Sequence, residues 1–173
     1  QTKGNESQAA EELEGALEAG FKHASLYFSL GLLRYKGNRL ESAQRFLQNS
    51  VKHNDYALGT RLLLGQLLVK KSLYDEAALE YLEALKLADS ITVPAEKADE
   101  VSQQYEPLIE AHQSQKDENI LRKVCENING LLMRPDWREQ LQKTRDQMPK
   151  QEGEMIAPLA DVILEAQSSS VLE

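Results

Sequence analysis

The chain has 173 residues, 41% hydrophobic and 28% charged, with a formal net charge of −8. That balance is too apolar for a disordered chain, and no apolar run approaches the roughly 20 residues a bilayer-spanning helix needs. Residues 1–90 carry 11 basic and 12 acidic side chains and residues 91–173 carry 9 and 16, so neither half has the basic surplus that nucleic acid or an anionic membrane demands.

A single cysteine, Cys125, excludes an internal disulfide, and the sequence gives no sign of an oxidising compartment; a cytoplasmic location is the resulting expectation. Five prolines and nine glycines leave room for long helices.

In chain order, residues 6–20 read as one amphipathic helix, with Ala9, Leu13, Ala16 and Leu17 on its apolar face. Next come Leu26, Leu30 and Leu33 at helical spacing, the turn Gly37-Asn38, and a second helix with Leu40, Ala43, Leu47 and Val51. The arrangement then recurs further along the chain at one constant offset. Leu30-Gly31 falls on Leu64-Gly65, Leu33 on Leu67, Ala43 on Ala77, Leu47 on Tyr81, Val51 on Leu85 and Asp55 on Asp89. The same shift backwards sets Ala9 on Ala43, Leu13 on Leu47 and Leu17 on Val51, and Lys71-Ser72 supplies the second turn. Gly31 and Gly65 each cost a helix about 1 kcal/mol relative to Ala, which makes sense where a paired helix approaches closely.

A 34-residue period with Leu-Gly in one helix and Ala followed four residues on by an aliphatic or aromatic residue in the next resembles the tetratricopeptide repeat. The resemblance covers residues 6–89, as half a repeat and two full ones. It departs from the family pattern at Tyr27 and Arg61, where the family favours Trp, at Arg34 and Leu68, where it favours Tyr, and at Asp55 and Asp89, where a closing Pro is usual. The resemblance implies an all-α fold of helix-turn-helix repeats stacked in a right-handed superhelix. It also implies a scaffold that binds a partner's peptide or helix in a concave groove. The implied groove positions are Ser25, Phe28, Leu32, Tyr35 and Lys36 in the first full repeat, and Gly59, Leu62, Gln66, Val69 and Lys70 in the second. Some members grip a C-terminal carboxylate with Lys and Asn; the matching positions here hold Phe28, Leu32, Leu62 and Gln66, so that clamp is not assembled. Apolar walls with two lysines point to an acidic peptide or helix with apolar anchors.

Beyond residue 89 the period fails, since Ala98-Asp99 stands where Leu-Gly belongs. Helical signals continue. Thr92 is expected to cap a helix from Pro94 carrying Val101, Tyr105, Leu108 and His112, and Pro107 to kink or split it. An amphipathic segment follows with Ile120, Leu121, Val124, Cys125, Ile128, Leu131 and Leu132. Residues 94–133 are therefore expected to form a divergent helix pair stacked on the second repeat. Pro135 opens a helix with Trp137, Leu141 and Met148, so that 94–148 continues and caps the stack. Residues 149–154 read as a linker and 155–168 as a last helix, expected to fold back on the array or to enter the groove of a second copy. The first helix has no pairing helix before it, so the chain is expected to be a piece of a longer array, able to self-associate through open ends.

No nucleotide-binding or hydrolase motif is present, and His23, His53 and His112 are too scattered for a metal site. No catalytic, metal or cofactor residues are expected. Cys125 and His112 read as structural, and Trp137 as packing its helix onto a neighbour. The expectation is a binding protein rather than an enzyme; the alternative is a substrate-recruiting or regulatory segment of a larger multidomain enzyme or signalling protein.

Overall fold

A computed structural model describes residues 2–20, 24–51, 57–148 and 157–164. The expected linker 149–154, Asp55, His23, His53 and the outer parts of the helix expected at 155–168 lie outside the described residues. Within them the fold is all-helical: α1 (Thr2–Glu18), α2 (Ala24–Lys36), α3 (Leu40–Ser50), α4 (Ala57–Lys70), α5 (Tyr74–Ile91), α6 (Ala98–Gln113), α7 (Glu118–Leu132) and α8 (Trp137–Gln147).

Two hairpins, α2–α3 and α4–α5, share one turn design. In the first turn, Arg39 N–H donates to Arg34 O at 2.8 Å and Asn38 N–H to Tyr35 O at 3.0 Å; in the second, Leu73 N–H donates to Leu68 O and Ser72 N–H to Val69 O, both at 2.9 Å. Each bond of one set lies one sequence period from its counterpart. Asn38 and Ser72 both take left-handed backbone, with φ of 59° and 60°. This is the Schellman arrangement, which uses up the last carbonyls of a helix while reversing the chain. Turn chemistry thus carries the sequence period into the backbone.

Helix packing repeats as well. A Cβ added to Gly31 would sit 2.5 Å from Leu47 Cδ2, and one added to Gly65 would sit 2.7 Å from Tyr81 Cε2. Leu47 and Tyr81 are themselves buried, so neither glycine can gain a methyl without displacing a packed side chain. Each glycine therefore accommodates the residue four positions beyond Ala43 or Ala77. Gly130, in contrast, has nothing within 4 Å of an added Cβ. Gly130→Ala is expected to stabilise the protein by about 0.5–1 kcal/mol through helix propensity, and Gly31→Ala to destabilise it by about 1–3 kcal/mol through overpacking. Urea unfolding of the two variants would check the opposite signs.

The hydrophobic core runs from Ala43 and Leu47 through α4 and α5 to Val101, Tyr105, Ile128, Leu141 and Leu159. A smaller cluster of Ala10, Leu30 and Phe46 joins α1 to the α2–α3 hairpin. Arg34 is buried beneath α1, where it is paired with Glu14. Between the hairpins, the hydroxyls of Ser50 and Thr60 hydrogen-bond at 3.1 Å.

The helices after residue 91 depart from expectation in three ways. Thr92 ends α5 instead of starting α6: its Oγ1 donates back to Asp89 O at 2.7 Å, and a 3-10 turn at Ala95–Lys97 precedes α6. Helix α6 runs unbroken through Pro107, which lies on the solvent side, where the Gln103 carbonyl deprived of its donor can be solvated. Residues 94–133 are not a helix pair. Helices α6 and α7 both pack on α5 and scarcely touch each other, while α7 also reaches α4.

The course of α7 follows from its contacts. Arg122 stands over the Tyr74 ring, and Asn129 accepts a bond from Tyr81, so α7 runs in the same direction as α5 and opposite to α4. Its strongly one-sided apolar face (Leu121, Val124, Cys125, Ile128, Leu132) is fully committed to this packing. Residues 157–164 lie back against the body of the protein. Leu159 and Ala160 are fully buried, and residues 160–164 form a short helical turn. No described helix is long and apolar enough to cross a membrane.

Candidate functional site

The positions implied as a groove fall on two faces with different fates. On α2, Phe28, Leu32 and Tyr35 are half-buried and Ser25 and Lys36 are exposed. Phe28 leans towards α4, with its ring edge 3.7 Å from the point where a Cβ on Gly59 would lie. At the other end of the face, Lys70 Nζ of α4 stands 4.4 Å from the centre of the Tyr35 ring. Such a contact draws a cation and an aromatic face together by about 0.5–1 kcal/mol at an exposed site. It leaves the lysine stem lying over apolar surface. Phe28, Tyr35 and Lys70 therefore belong to one α2–α4 surface, with Leu32 between the two aromatics on the same face of α2, whereas Val69 lines a recess against α7.

Leu62 does not line it. The side chain is buried in the core, because the α4 stripe Leu62, Leu63, Leu64, Leu67 and Leu68 is enclosed on nearly all sides. Gln66 is not open either: its amide donates to Asn129 Oδ1 at 3.0 Å, and the Tyr81 hydroxyl donates to the same oxygen at 3.0 Å. Helix α7 thus takes up α4 at Gln66, on the side away from α2. Lys36 points elsewhere, into a recess between α1 and the end of α2 lined also by Glu6, Ser7, Arg34 and Arg39.

Asn129 was not legible as a site residue from sequence, since it lies past the point where the repeat period fails. The one available signal was its place beside the apolar stripe of α7. Burial pushes the Tyr81 phenol well above its ordinary range, with the neighbouring Cys125 and Tyr35 acting in the same direction. The hydroxyl therefore stays protonated and serves as a donor.

A second recess between α4, α5 and α7 is lined by Val69, Tyr74, Tyr81, Arg122, Cys125, Glu126 and Asn129. Cys125 is almost wholly buried, with Sγ 3.9 Å from Tyr74 O. Burial pushes its thiol up to about 12, and Glu126 acts in the same direction. A thiol in that state is a poor nucleophile at neutral pH. In the folded protein at pH 8, alkylation of Cys125 by iodoacetamide is expected to be at least tenfold slower than in urea; mass spectrometry of timed samples checks this.

Other singled-out residues have local partners. His112 Nδ1 lies 2.9 Å from Leu108 O, one turn back on its own helix. Trp137 is half-buried against the core, with Arg138 over its ring at 5.1 Å. Among the described residues, no group of three His, Cys, Asp or Glu side chains is placed to hold a metal ion.

No protein-family model, curated protein or solved structure matches this chain. Its function is therefore argued from its own surfaces.

Proposed function

We propose that this chain is a protein-interaction module of the tetratricopeptide-repeat type, holding a short acidic peptide or helix of a partner against the α2–α4 face. The observation that carries the reading is the repetition of the two hairpins, turn bond by turn bond in step with the sequence period, with glycine-to-side-chain packing in register. Helix pairs stacked in that way present their first helices side by side, and repeat proteins use such surfaces for binding. Phe28, Leu32 and Tyr35 offer apolar contact, and Lys70 brings a positive charge to its edge. A ligand with apolar anchors at i, i+3 or i+4 and acidic residues between them complements this surface. Because α7 packs on α4 and engages Gln66, the surface does not continue past α4 and the ligand is short: it spans α2 and the adjoining side of α4.

The test is an array of amphipathic peptides, graded from acidic to basic, read by fluorescence anisotropy. Acidic members are expected to bind. Lys36→Glu combined with Lys70→Glu should weaken them at least tenfold with helical content unchanged by circular dichroism, and Lys36→Glu alone should do far less, because Lys36 faces a different recess. Equal binding across the charge series, or binding indifferent to the Lys70 reversal, would refute the reading.

A further inference from the structure

Asp89 is a carboxylate with no solvent exposure, and its partners come from four parts of the chain. At the C-terminal cap of α5, the Thr92 hydroxyl lies 3.3 Å from Oδ1. From α6, Tyr105 donates its hydroxyl to Oδ2 at 2.5 Å. From α8, Arg145 pairs with Oδ1. From the returning segment, the Leu159 backbone N–H donates to Oδ2 at 2.8 Å. Arg145 reaches the same segment, donating to the Ala157 carbonyl at 2.6 Å. Two side chains from two helices thus hold two points of one main chain, with Tyr105 of a third helix bracing Asp89, while the Leu159 side chain is fully enclosed and Pro158 and Ala160 are buried beside it.

We propose that Asp89 and Arg145, with Tyr105 holding Asp89 in place, form a peptide clamp, and that residues 157–160 are its ligand, bound in cis. The site is separate from the α2–α4 face and does not depend on the role given to it. Two features distinguish it from ordinary core packing. Recognition is directed at backbone groups, which any chain supplies, with selectivity left to one leucine-sized socket and a small residue after it. The clamp also keeps its own pairing without the segment, since Arg145 and Tyr105 bind Asp89 directly. Departure of the peptide therefore does not strand a buried charge, the usual obstacle to opening such a site. The chemical class of ligand is a peptide carrying the pattern small-Pro-Leu-small. Tethering fills the site from within the chain at an effective concentration on the order of millimolar.

The experiment replaces residues 149–154 of the full chain with a protease recognition sequence, cleaves it, and adds a fluorescein-labelled synthetic peptide of residues 155–167. Anisotropy should show saturable binding to the cleaved protein, competed by unlabelled peptide, and at least tenfold weaker binding to the uncut chain. Two peptide variants leave the protein untouched. Leu159→Asp should abolish binding, and a peptide methylated on the Leu159 backbone nitrogen should lose at least tenfold, because it cannot donate to Asp89. Loss of helical content on cleavage, no uptake of the label, or equal binding of the N-methylated peptide would each overturn the proposal, the last by reducing the contact to an apolar one.

Discussion

Asp89→Ala is expected to lower the stability of the chain by about 3–5 kcal/mol, the range for removing one partner from a buried ion pair. The magnitude comes from what is left behind. Without the carboxylate, Arg145 keeps its charge in a setting only 12% exposed, and the Tyr105 hydroxyl and Leu159 N–H lose their acceptor inside the core. A buried polar group without a partner costs about 1–3 kcal/mol, so several at once exceed the value of any single bond. Asp89→Asn is the informative companion: it preserves shape and an acceptor oxygen but not the charge. If the ion pair dominates, Asn should resemble Ala; if the two neutral donors dominate, Asn should recover most of the loss. Urea unfolding, with an m-value of about 1–3 kcal/mol/M for a small domain, makes the expected shift of the midpoint easily measurable. A loss below about 1 kcal/mol for Asp89→Ala would mean that Arg145 finds solvent and that the network does not hold the C-terminal half together.

Asp89 also marks where sequence reasoning stopped. At the position where the resembled family closes a repeat with proline, an aspartate reads as a tolerated variation on a surface turn. Nothing in the repeat period announces that Tyr105, Arg145 and Leu159, all far downstream, converge on it. Local patterns fared differently. The Leu-Gly pairs, the small Ala43 and Ala77 and the two-residue turns are read from close sequence neighbours, and helix identity follows from such short-range spacing. The packing of α7 is the intermediate case. Its amphipathic stripe was legible, although Ile120, read as part of it, stands exposed, and the partner of that stripe was not, because an apolar face fits either side of α5 equally well by composition. The choice was made by polar detail: Asn129 matched to Gln66 and Tyr81, and Arg122 to Tyr74. For the α2–α4 surface, the consequence is that family-derived positions on α2 stayed accessible while Leu62 and Gln66 were taken up by the chain's own structure.

Tyr81 ties these levels together, and its replacement gives the second large expected effect. Tyr81→Ala should cost about 3–5 kcal/mol, the range for truncating a buried aromatic ring, since the side chain is 2% exposed at the junction of α4, α5 and α7. Tyr81→Phe should cost only about 0.5–1.5 kcal/mol, the net value of one hydrogen bond, because Asn129 keeps the amide of Gln66 as a donor. The difference between the two variants separates ring packing from the polar link to α7. Gly65 completes the test. An added methyl there would stand 2.7 Å from Tyr81 Cε2 and 2.8 Å from Cζ, atoms that Tyr81→Ala removes. Gly65→Ala should therefore destabilise the natural chain by about 1–3 kcal/mol yet be neutral or stabilising beside Tyr81→Ala, where helix propensity acts unopposed. Such a reversal of sign is a coupling that independent sites would not show. The same cycle on Gly31 and Leu47, one period earlier in the chain, should give a coupling of the same sign without involving α7. If both cycles couple, the glycine-to-side-chain fit is the repeated unit of the hairpins; if only the Gly65 cycle does, the close packing there is imposed by α7 and the periodic likeness ends at the turns.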